Sequence, residues 1–326
     1  MNWIRKDLLQ ATPKMVFRSV VKQTAVVAIL AMLIIMIFPR TNFYTQFNIM
    51  SMITSASVLL ILAFGVSFPI ISGALDLSIG GTLALSGIIA IRFMEFMPMS
   101  MAIVCAILAG ALIGFVNGFF VVHQRTEPFI ITLGMDLLLR GIAQQVTNAR
   151  PIPATNPNFM MIFHGNIFGI PNPIIIIVLI FALTHYILRY TQFGRNCYAI
   201  GGDYGVAVYS GIPVIRTKWT AFVICGAMAA FAGVLLSSRL NAASSLYGEG
   251  MALLINCAVV LGGTSFAGGI GSIPQSGIGL MVFAVLENAM NMLRIDAYIQ
   301  QIFRGLVIVS IIWLDCYKRK RKREMV

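Results

Sequence analysis

Residues 49–81 read IMSMITSASVLLILAFGVSFPIISGALDLSIGG. The first part, 49–71, is apolar and reaches the roughly 20 residues that a helix needs to cross a bilayer. Glycines, serines and one aspartate then interrupt the apolar sequence before it resumes. Irregular backbone at membrane depth is tolerated only where protein or a watery cavity satisfies its polar groups. We therefore predict a membrane-spanning helix followed by a broken or re-entrant segment near 72–81.

Asp76 is the charged residue of this interruption. A carboxylate inside a bilayer costs about 2.5–3.5 kcal/mol on insertion scales, so other groups must compensate for it. One interpretation is a broken helix that lines a translocation path, with Gly73, Asp76 and Ser78 along it. The other is a cap, in which Asp76 satisfies N–H groups at the start of the next span. Both interpretations stay open, and they are compatible with each other.

The composition extends the membrane assignment to the whole chain. Hydrophobic residues make up 59% of it, charged residues only 10%, and the mean hydropathy is +0.89. A soluble domain is about 45–50% apolar and about 25% charged. We predict an all-α polytopic membrane protein, a single transmembrane domain over 1–326, with about ten transmembrane helices over 20–316 between tails 1–19 and 317–326. The predicted spans are 20–38, 49–71, 78–97, 99–122, 128–147, 173–188, 219–238, 250–266, 274–292 and 298–316.

The positive charge is distributed as in a membrane protein with both termini in the cytoplasm. With ten spans, sixteen Lys and Arg residues fall on the side of the termini and five on the other side. Cytoplasmic loops carry this kind of excess. The net charge of +12 therefore indicates orientation and contact with anionic membrane lipid, and we expect no nucleic-acid partner.

The loop 189–218 reads RYTQFGRNCYAIGGDYGVAVYSGIPVIRTK and carries four basic residues, so it belongs on the cytoplasmic side. Within it, Gly202 and Asp203 begin a short helix, and Gly211 followed by Pro213 ends it. This stub of about two turns has too little of its own loop to bury against, so we expect it to dock on a cytoplasmic partner that drives the protein. It bears Tyr204, Val206, Ala207, Val208 and Tyr209.

Other polar groups lie within predicted spans. Asp136 and Arg140 are four residues apart, so they share a helix face and are placed to form a structural ion pair. The alternative is that Asp136 lines the path. Glu287, Asn288 and Asn291 cluster in the ninth span and are further candidates for the path, whereas Arg304 is explained by snorkelling to the surface.

No catalytic or metal-binding pattern is present in the sequence. The five cysteines are scattered without a CxxC pair, which indicates free thiols. The glycine-rich stretch 261–272 has no lysine of the GxxxxGK[ST] type, and neither that pattern nor HExxH occurs elsewhere. We therefore expect no enzyme activity, no metal and no cofactor in this chain. We predict instead a tight cytoplasmic turn at 261–272.

Four stretches resemble one family. SGALDLSIG at 72–80 resembles the "SGGIDLSVG" of ABC-transporter permeases of the ribose/galactose/xylose import type, and PFIITLG at 128–134 resembles their "PFIxTLG". FGR, AIGG and SGI, at 193–195, 199–202 and 210–212, are similar to the family's cytoplasmic coupling loop. The stretch 261–272 is similar to its "GGTSxxGGxGS".

The resemblance implies a permease of the bacterial inner membrane that pairs with a second copy of itself or with a related permease. A separate cytoplasmic ATPase would bind ATP and Mg²⁺, and a periplasmic binding protein would deliver a monosaccharide for import by alternating access. Carried over by resemblance, and with Asp203 added as the helix cap, the ATPase-coupling residues are Phe193, Gly194, Arg195, Gly201, Gly202, Asp203, Ser210 and Gly211.

Two alternatives remain. One is a permease of the related branched-chain amino acid type, and the other is an ion-coupled secondary transporter, which needs no ATPase. The sequence also departs from the family, because 252–258 lacks the acidic run often found before the glycine-rich turn, and Val206 and Val208 flank a single alanine where paired alanines are usual. The sugar therefore stays open among ribose, xylose, galactose, allose or a polyol.

Overall fold

The computed structural model describes residues 42–124 and 126–323. The predicted span 20–38, the tail 1–19, Arg125 and the last three residues lie outside the described residues. Within the described ranges the all-α prediction is confirmed in outline, since twelve α-helices make up most of the chain. They are α1 Gln46–Ile71, α2 Ile79–Phe93, α3 Met99–Gly118, α4 Pro128–Thr147, α5 Met161–His164, α6 Asn172–Tyr190, α7 Gln192–Gly202, α8 Tyr204–Tyr209, α9 Val214–Leu240, α10 Met251–Leu261, α11 Ile273–Met292 and α12 Ala297–Arg323.

Five of these helices are long and apolar enough to cross a membrane. They are α1, α3 together with the π-helical turn Phe119–His123 that extends it, α4, α6 and α9. The predicted span 128–147 coincides with α4, and 49–71 ends at the same residue as α1. The chain is therefore a multi-pass membrane protein.

Two predicted spans are shorter than expected. The segment predicted as 78–97 forms α2 with 15 residues, and the one predicted as 250–266 forms α10 with 11 residues. At 1.5 Å per residue these helices are about 22 and 16 Å long, less than the roughly 30 Å of a bilayer core. The chain stops both helices early with non-helical segments, so the count of ten spans stays a prediction.

Helix α9 is the centre of the bundle. It packs against α1, α2 and α3, and two thirds of its apolar window is buried. Small residues make this packing close: a Cβ added to Gly114 of α3 would overlap the carbonyl oxygen of Phe222 in α9. The glycine-rich face of α3 is therefore a helix-packing surface.

The proline-rich connection at 148–172 has local order. It contains α5 and the two-residue strands β1 Ile152–Pro153, β2 Asn166–Ile167 and β3 Ile170–Pro171. Strand β1 pairs with β4 Ala242–Ala243, and β2 pairs with β3. Ser238, near the end of α9, donates its hydroxyl to the Phe159 carbonyl at 2.6 Å and accepts the Phe163 N–H at 3.1 Å. The bonds of Ser238 hold the connection against the bundle. The four short strands are an addition to the predicted all-α architecture.

Candidate functional site

The predicted break is present between α1 and α2. Residues 72–78 leave the helical conformation while remaining mostly buried, so side chains of other helices must satisfy their polar groups. Thr132 of α4 accepts the Leu77 N–H at 3.0 Å, and the Asn256 amide of α10 donates to the Asp76 carbonyl at 3.0 Å. The broken segment is therefore held in place by α4 and α10.

Asp76 is 1% exposed at the centre of this break. Its Oδ1 accepts the Ser78 N–H at 2.9 Å and the Ser78 hydroxyl at 2.6 Å, and that hydroxyl accepts from the Asn117 amide at 2.8 Å. The residue at the N-cap of α2 is Ser78, so Asp76 fixes the helix start from two positions earlier. The Ser78 side chain makes no capping hydrogen bond to α2, and the capping interpretation is wrong in its simple form: Asp76 holds the N-cap residue and not the N–H groups of the helix. Lining of a path by Gly73, Asp76 and Ser78 stays a prediction.

The ion pair between Asp136 and Arg140 is confirmed. Arg140 Nε lies 2.8 Å from Asp136 Oδ2, and both side chains are about 15% exposed. Asp136 also accepts the Gly81 N–H at 2.6 Å through Oδ1, and Arg140 donates to the Ser245 carbonyl at 3.4 Å. The pair therefore ties α4 to the start of α2 and to the loop before α10, which is a structural role.

The break also meets two other glycine-rich segments in what we call the glycine junction: Gly73, Gly201, Gly202, Gly268 and Gly269. The Gly269 N–H donates to the Ile71 carbonyl at the end of α1 at 2.9 Å. A Cβ on Gly268 would lie 2.9 Å from the backbone of Gly73, and one on Gly201 would overlap the Ile71 oxygen. Only residues without a side chain allow the break, the end of α7 and the turn 262–272 to touch through their backbones.

The loop 189–218 contains a helix, α7, that the sequence did not predict. Helix α7 begins after Thr191, whose hydroxyl accepts the Gly194 N–H at 3.2 Å. The Phe193 ring stacks on Phe68 of α1 with centroids 5.9 Å apart, and Gly194 lies against the Leu188 carbonyl. Phe193, Gly194 and Gly201 therefore join α7 to the membrane helices, whereas Arg195 and Gly202 are exposed.

The predicted stub helix is confirmed as α8. Asp203 caps it, with Oδ1 accepting the Val206 N–H at 2.9 Å, and Gly211 follows it with φ of +74°. Ala207 is buried in a small cluster with Ile200 and Val214. The large apolar side chains of α8 are exposed, and Tyr209 is the most exposed of them at 94%. They are Tyr204, Val206, Val208 and Tyr209. Ser210 and Gly211 are exposed beside them.

At the other end of the bundle, a cavity of about 380 Å³ lies between α1, α9, α10, α11 and α12. We call it the polar cavity. Glu287, Asn288 and Asn291 of α11 line it, as the sequence grouping suggested, together with Ser55, Arg239 and Arg304. Neither Asp136 nor the break residues Gly73, Asp76 and Ser78 lie on its wall. The candidates for the path therefore form two separate groups.

Two arginines give this cavity its charge. Arg304 donates to Glu287 at 2.9 Å across α11 and α12, so it has a specific carboxylate partner, and its snorkelling to the surface stays a prediction. Arg239 donates to Ser55 at 3.0 Å. Sequence reasoning missed Arg239 as a cavity residue because it stands just past the predicted span 219–238, where it was counted as a loop charge. The extension of α9 to Leu240 brings it into the cavity.

Comparison with known proteins now places the chain. A family model described as "branched-chain amino acid transport system / permease component" matches residues 48–312. The chain belongs to this permease family. The match begins near the start of α1 and ends within α12, so it covers the break, the coupling helices and the polar cavity together.

Several curated relatives resemble the permease over nearly their whole length. The ribose import permease RbsC of Haemophilus influenzae is 36% identical over 94% of this chain and 96% of its own. The L-arabinose permease AraH and the D-allose permease AlsC of Escherichia coli K12 are each 34% identical, over 86% and 84% of both chains. No solved structure matches. The resemblance to permeases of the ribose type is thereby confirmed.

Proposed function

We propose that this permease is the transmembrane subunit of an ATP-driven importer that moves a monosaccharide into the cytoplasm. The names of its relatives support a sugar over a branched-chain amino acid, because the ribose, L-arabinose and D-allose permeases resemble the chain over most of their length. One observation carries the proposal: an exposed, capped helix, α8, follows α7, and α7 contacts the broken segment directly at the glycine junction.

In this proposal the ATPase is a separate cytoplasmic protein that binds ATP and Mg²⁺. It docks on the exposed face of α8, formed by Tyr204, Val206, Val208 and Tyr209. Closure of the ATPase pushes α7, and α7 moves the end of α1 and the break because the glycine junction leaves no compressible side chains between them. Asp203, Ser210 and Gly211 shape the docking face, while Phe193, Gly194 and Gly201 transmit its motion. Arg195 stands in the first turn of α7, before that face.

The polar cavity supplies the part of the path that receives sugar. Its volume of about 380 Å³ falls within the range of about 300–1,000 Å³ for small-molecule sites. Glu287, Arg239 and Asn291 offer acceptors and donors that exchange hydrogen bonds with sugar hydroxyls. Specificity comes from a periplasmic binding protein, so the cavity needs only to pass the sugar on by alternating access.

The same proposal gives the cellular location, the membrane orientation and the partner of the permease. The protein lies in the bacterial inner membrane with both termini and the segment 189–218 in the cytoplasm, as the distribution of basic residues favours. A second copy of the chain completes the channel. Nucleotide hydrolysis resides in the ATPase, and this proposal assigns no catalytic role to the permease.

The deciding experiment reconstitutes the permease with its ATPase in nanodiscs and measures ATP hydrolysis. Binding proteins loaded with ribose, L-arabinose, D-allose or leucine are added in turn. We expect stimulation by one sugar-loaded protein. Stimulation only by the leucine-loaded protein would establish the amino acid alternative. In a separate assay in proteoliposomes, uptake that collapses with the proton gradient at constant ATP would establish the ion-coupled alternative.

The control for this assay removes residues 203–211, which form the cap and α8. This variant is expected to insert into the membrane and bind lipid normally but to lose sugar-stimulated ATP hydrolysis. Full stimulation without α8 would contradict the coupling role.

A further inference from the structure

A second cavity, of about 410 Å³, lies where α6 ends, α7 begins and α11 starts. We call it the basic cavity. The two cavities lie at opposite ends of α11. The first residues of this helix line the basic cavity, and its last residues line the polar cavity. The basic cavity is lined mainly by His185, Arg189, Tyr190, Arg195, Tyr198 and Ser272.

The charge of this cavity is unbalanced. Its lining includes two arginines and no carboxylate. Arg195 donates only to uncharged acceptors, the Tyr190 carbonyl at 3.3 Å and the Gln192 side chain at 2.6 Å. Neither arginine takes part in an ion pair among the described residues. A cavity with two arginines and no anion of its own favours an anionic ligand.

Helix α11 adds to the positive potential. It begins at Ile273 after the N-cap Ser272, and its 20 residues direct their N-terminal dipole toward the cavity wall. The Tyr198 hydroxyl donates to the Gly271 carbonyl at 2.8 Å, which fixes the turn that presents this helix end. The cavity therefore combines two guanidinium groups, which bind phosphate, with the positive end of a helix dipole.

The position of the cavity indicates where the phosphate comes from. Leu179 and Leu183 of α6 are exposed apolar residues on the helix that leads to the cavity, and such residues face acyl chains in a membrane. Tyr186 and Tyr190, each 60% exposed, follow at the end of that helix. Tyrosines are enriched at the level of lipid headgroups. A lipid beside α6 would thus bring its headgroup to Arg189.

We propose that the basic cavity binds the phosphate of an anionic phospholipid, with Arg189 and Arg195 as its direct partners. Basic pockets between transmembrane helices on the cytoplasmic side bind anionic headgroups in this way. The site adjoins the base of α7, so a bound lipid holds together the α6–α7 corner from which α8 projects. This inference stands apart from the transport proposal, because lipid binding is measured without substrate or ATPase.

The test measures lipids retained by the full-length permease in native mass spectrometry. The protein is first equilibrated with an equimolar mixture of phosphatidylglycerol and phosphatidylcholine and is then purified. The wild type is expected to retain phosphatidylglycerol selectively, and Arg189→Gln to lower that retention about fivefold, in line with the contribution of one arginine to anionic lipid binding. The matched control is Arg150→Gln, which removes an exposed arginine from the connection at the opposite end of α6 and is expected to change nothing.

Further arms separate the possible occupants. Arg195→Gln should also weaken retention, and it provides a second reading if Arg189→Gln folds poorly. Unchanged retention in both variants would overturn the site, as would equal retention of phosphatidylcholine. Displacement of the lipid by millimolar inorganic phosphate would assign the cavity to a soluble anion, and displacement on addition of the ATPase would assign it to that protein. Either result would overturn the lipid proposal.

Discussion

Gly201, in the last turn of α7, lies directly against the carbonyl oxygen of Ile71, the last residue of α1. The same carbonyl accepts the Gly269 N–H, so one peptide group joins three segments that are far apart in the chain. A rigid backbone contact of this kind transmits displacement better than a contact between flexible side chains. The relationship explains why an exposed helix at 204–209 is relevant to a break at 72–78.

Gly201→Ala tests the glycine junction. A Cβ at this position would overlap the Ile71 oxygen, and overpacking of this type costs about 1–3 kcal/mol. We expect a lower unfolding temperature in detergent and loss of sugar-stimulated ATP hydrolysis. Gly202 meets the junction only through its backbone, so Gly202→Ala is the control: a Cβ there meets nothing within 4 Å, and alanine favours helix over glycine. Equal behaviour of the two variants would contradict the junction.

Thr132→Val tests how the break is held. The substitution leaves the buried Leu77 N–H without its acceptor, which costs about 1–3 kcal/mol. Thr147→Val is matched to it, since both threonines are buried in α4 and bond a carbonyl of their own helix, but Thr147 accepts no bond from another element. We expect thermal unfolding to begin earlier only in Thr132→Val. A comparable loss in both would show that the Leu77 bond adds nothing.

Asp203→Ala tests the cap of α8. Loss of an N-cap costs about 0.5–2 kcal/mol of helix stability, and α8 has only six residues. We expect weaker binding of the ATPase, measured by pull-down or interferometry, with membrane insertion unchanged. Asp203→Ser keeps a good cap and should restore most of the binding. Failure of serine to restore it would mean that the charge of Asp203, rather than the cap, contacts the ATPase.

Glu287→Gln tests the polar cavity. The ion pair with Arg304 is partly exposed, with side chains 44% and 36% accessible, so its loss should cost at most about 1 kcal/mol of stability. If Glu287 meets the sugar, uptake should fall at least about tenfold, because hydrogen bonds to charged groups contribute about 1.5–3 kcal/mol. Glu95→Gln removes a similar exposed pair, with Arg92, outside the cavity. Equal uptake in both variants would exclude Glu287 from the path.

Cys197 tests the packing of α7. Burial raises the pKa of its thiol to about 12, and only the thiolate reacts with maleimide. A thiol with this pKa is almost entirely protonated near neutral pH, and at pH 8 about one molecule in ten thousand would carry the thiolate. We therefore expect mass spectrometry to find no maleimide on Cys197 anywhere between pH 7 and pH 9. Ser210→Cys, at the exposed end of α8, should label readily. Rapid labelling of Cys197 in the folded protein would show that α7 opens.

The sequence identified the individual elements well where local rules decide them. The break at 72–81, the pair of Asp136 and Arg140, and the capped helix after Asp203 follow from glycine content, i,i+4 spacing and capping chemistry. Helix α7 was missed because its two terminal glycines and polar residues resemble a loop. Its stability comes from Phe193 packing on Phe68, a contact across 125 positions of sequence.

The lengths of α2 and α10 were misjudged for a different reason. A count of hydrophobic residues extends both spans past the observed helix ends. Helix α2 gives way to a turn at Met94, and α10 ends at Leu261, shortly before Gly263 with φ of +118°. Hydrophobic run length records composition and not the backbone turn that ends a helix.

By itself the sequence determined a polytopic helical membrane protein, its broken segment and its short exposed helix, because hydrophobic run length, charge asymmetry and turn chemistry are local properties. The permease family followed from the resemblance of four motifs. Only the tertiary structure decided that three glycine-rich segments form one junction, that Arg239 joins Glu287 in a cavity, and that Arg189 and Arg195 face a common space. These relationships depend on backbone approach and charge placement between segments far apart in sequence, and such distances are set when the helices pack.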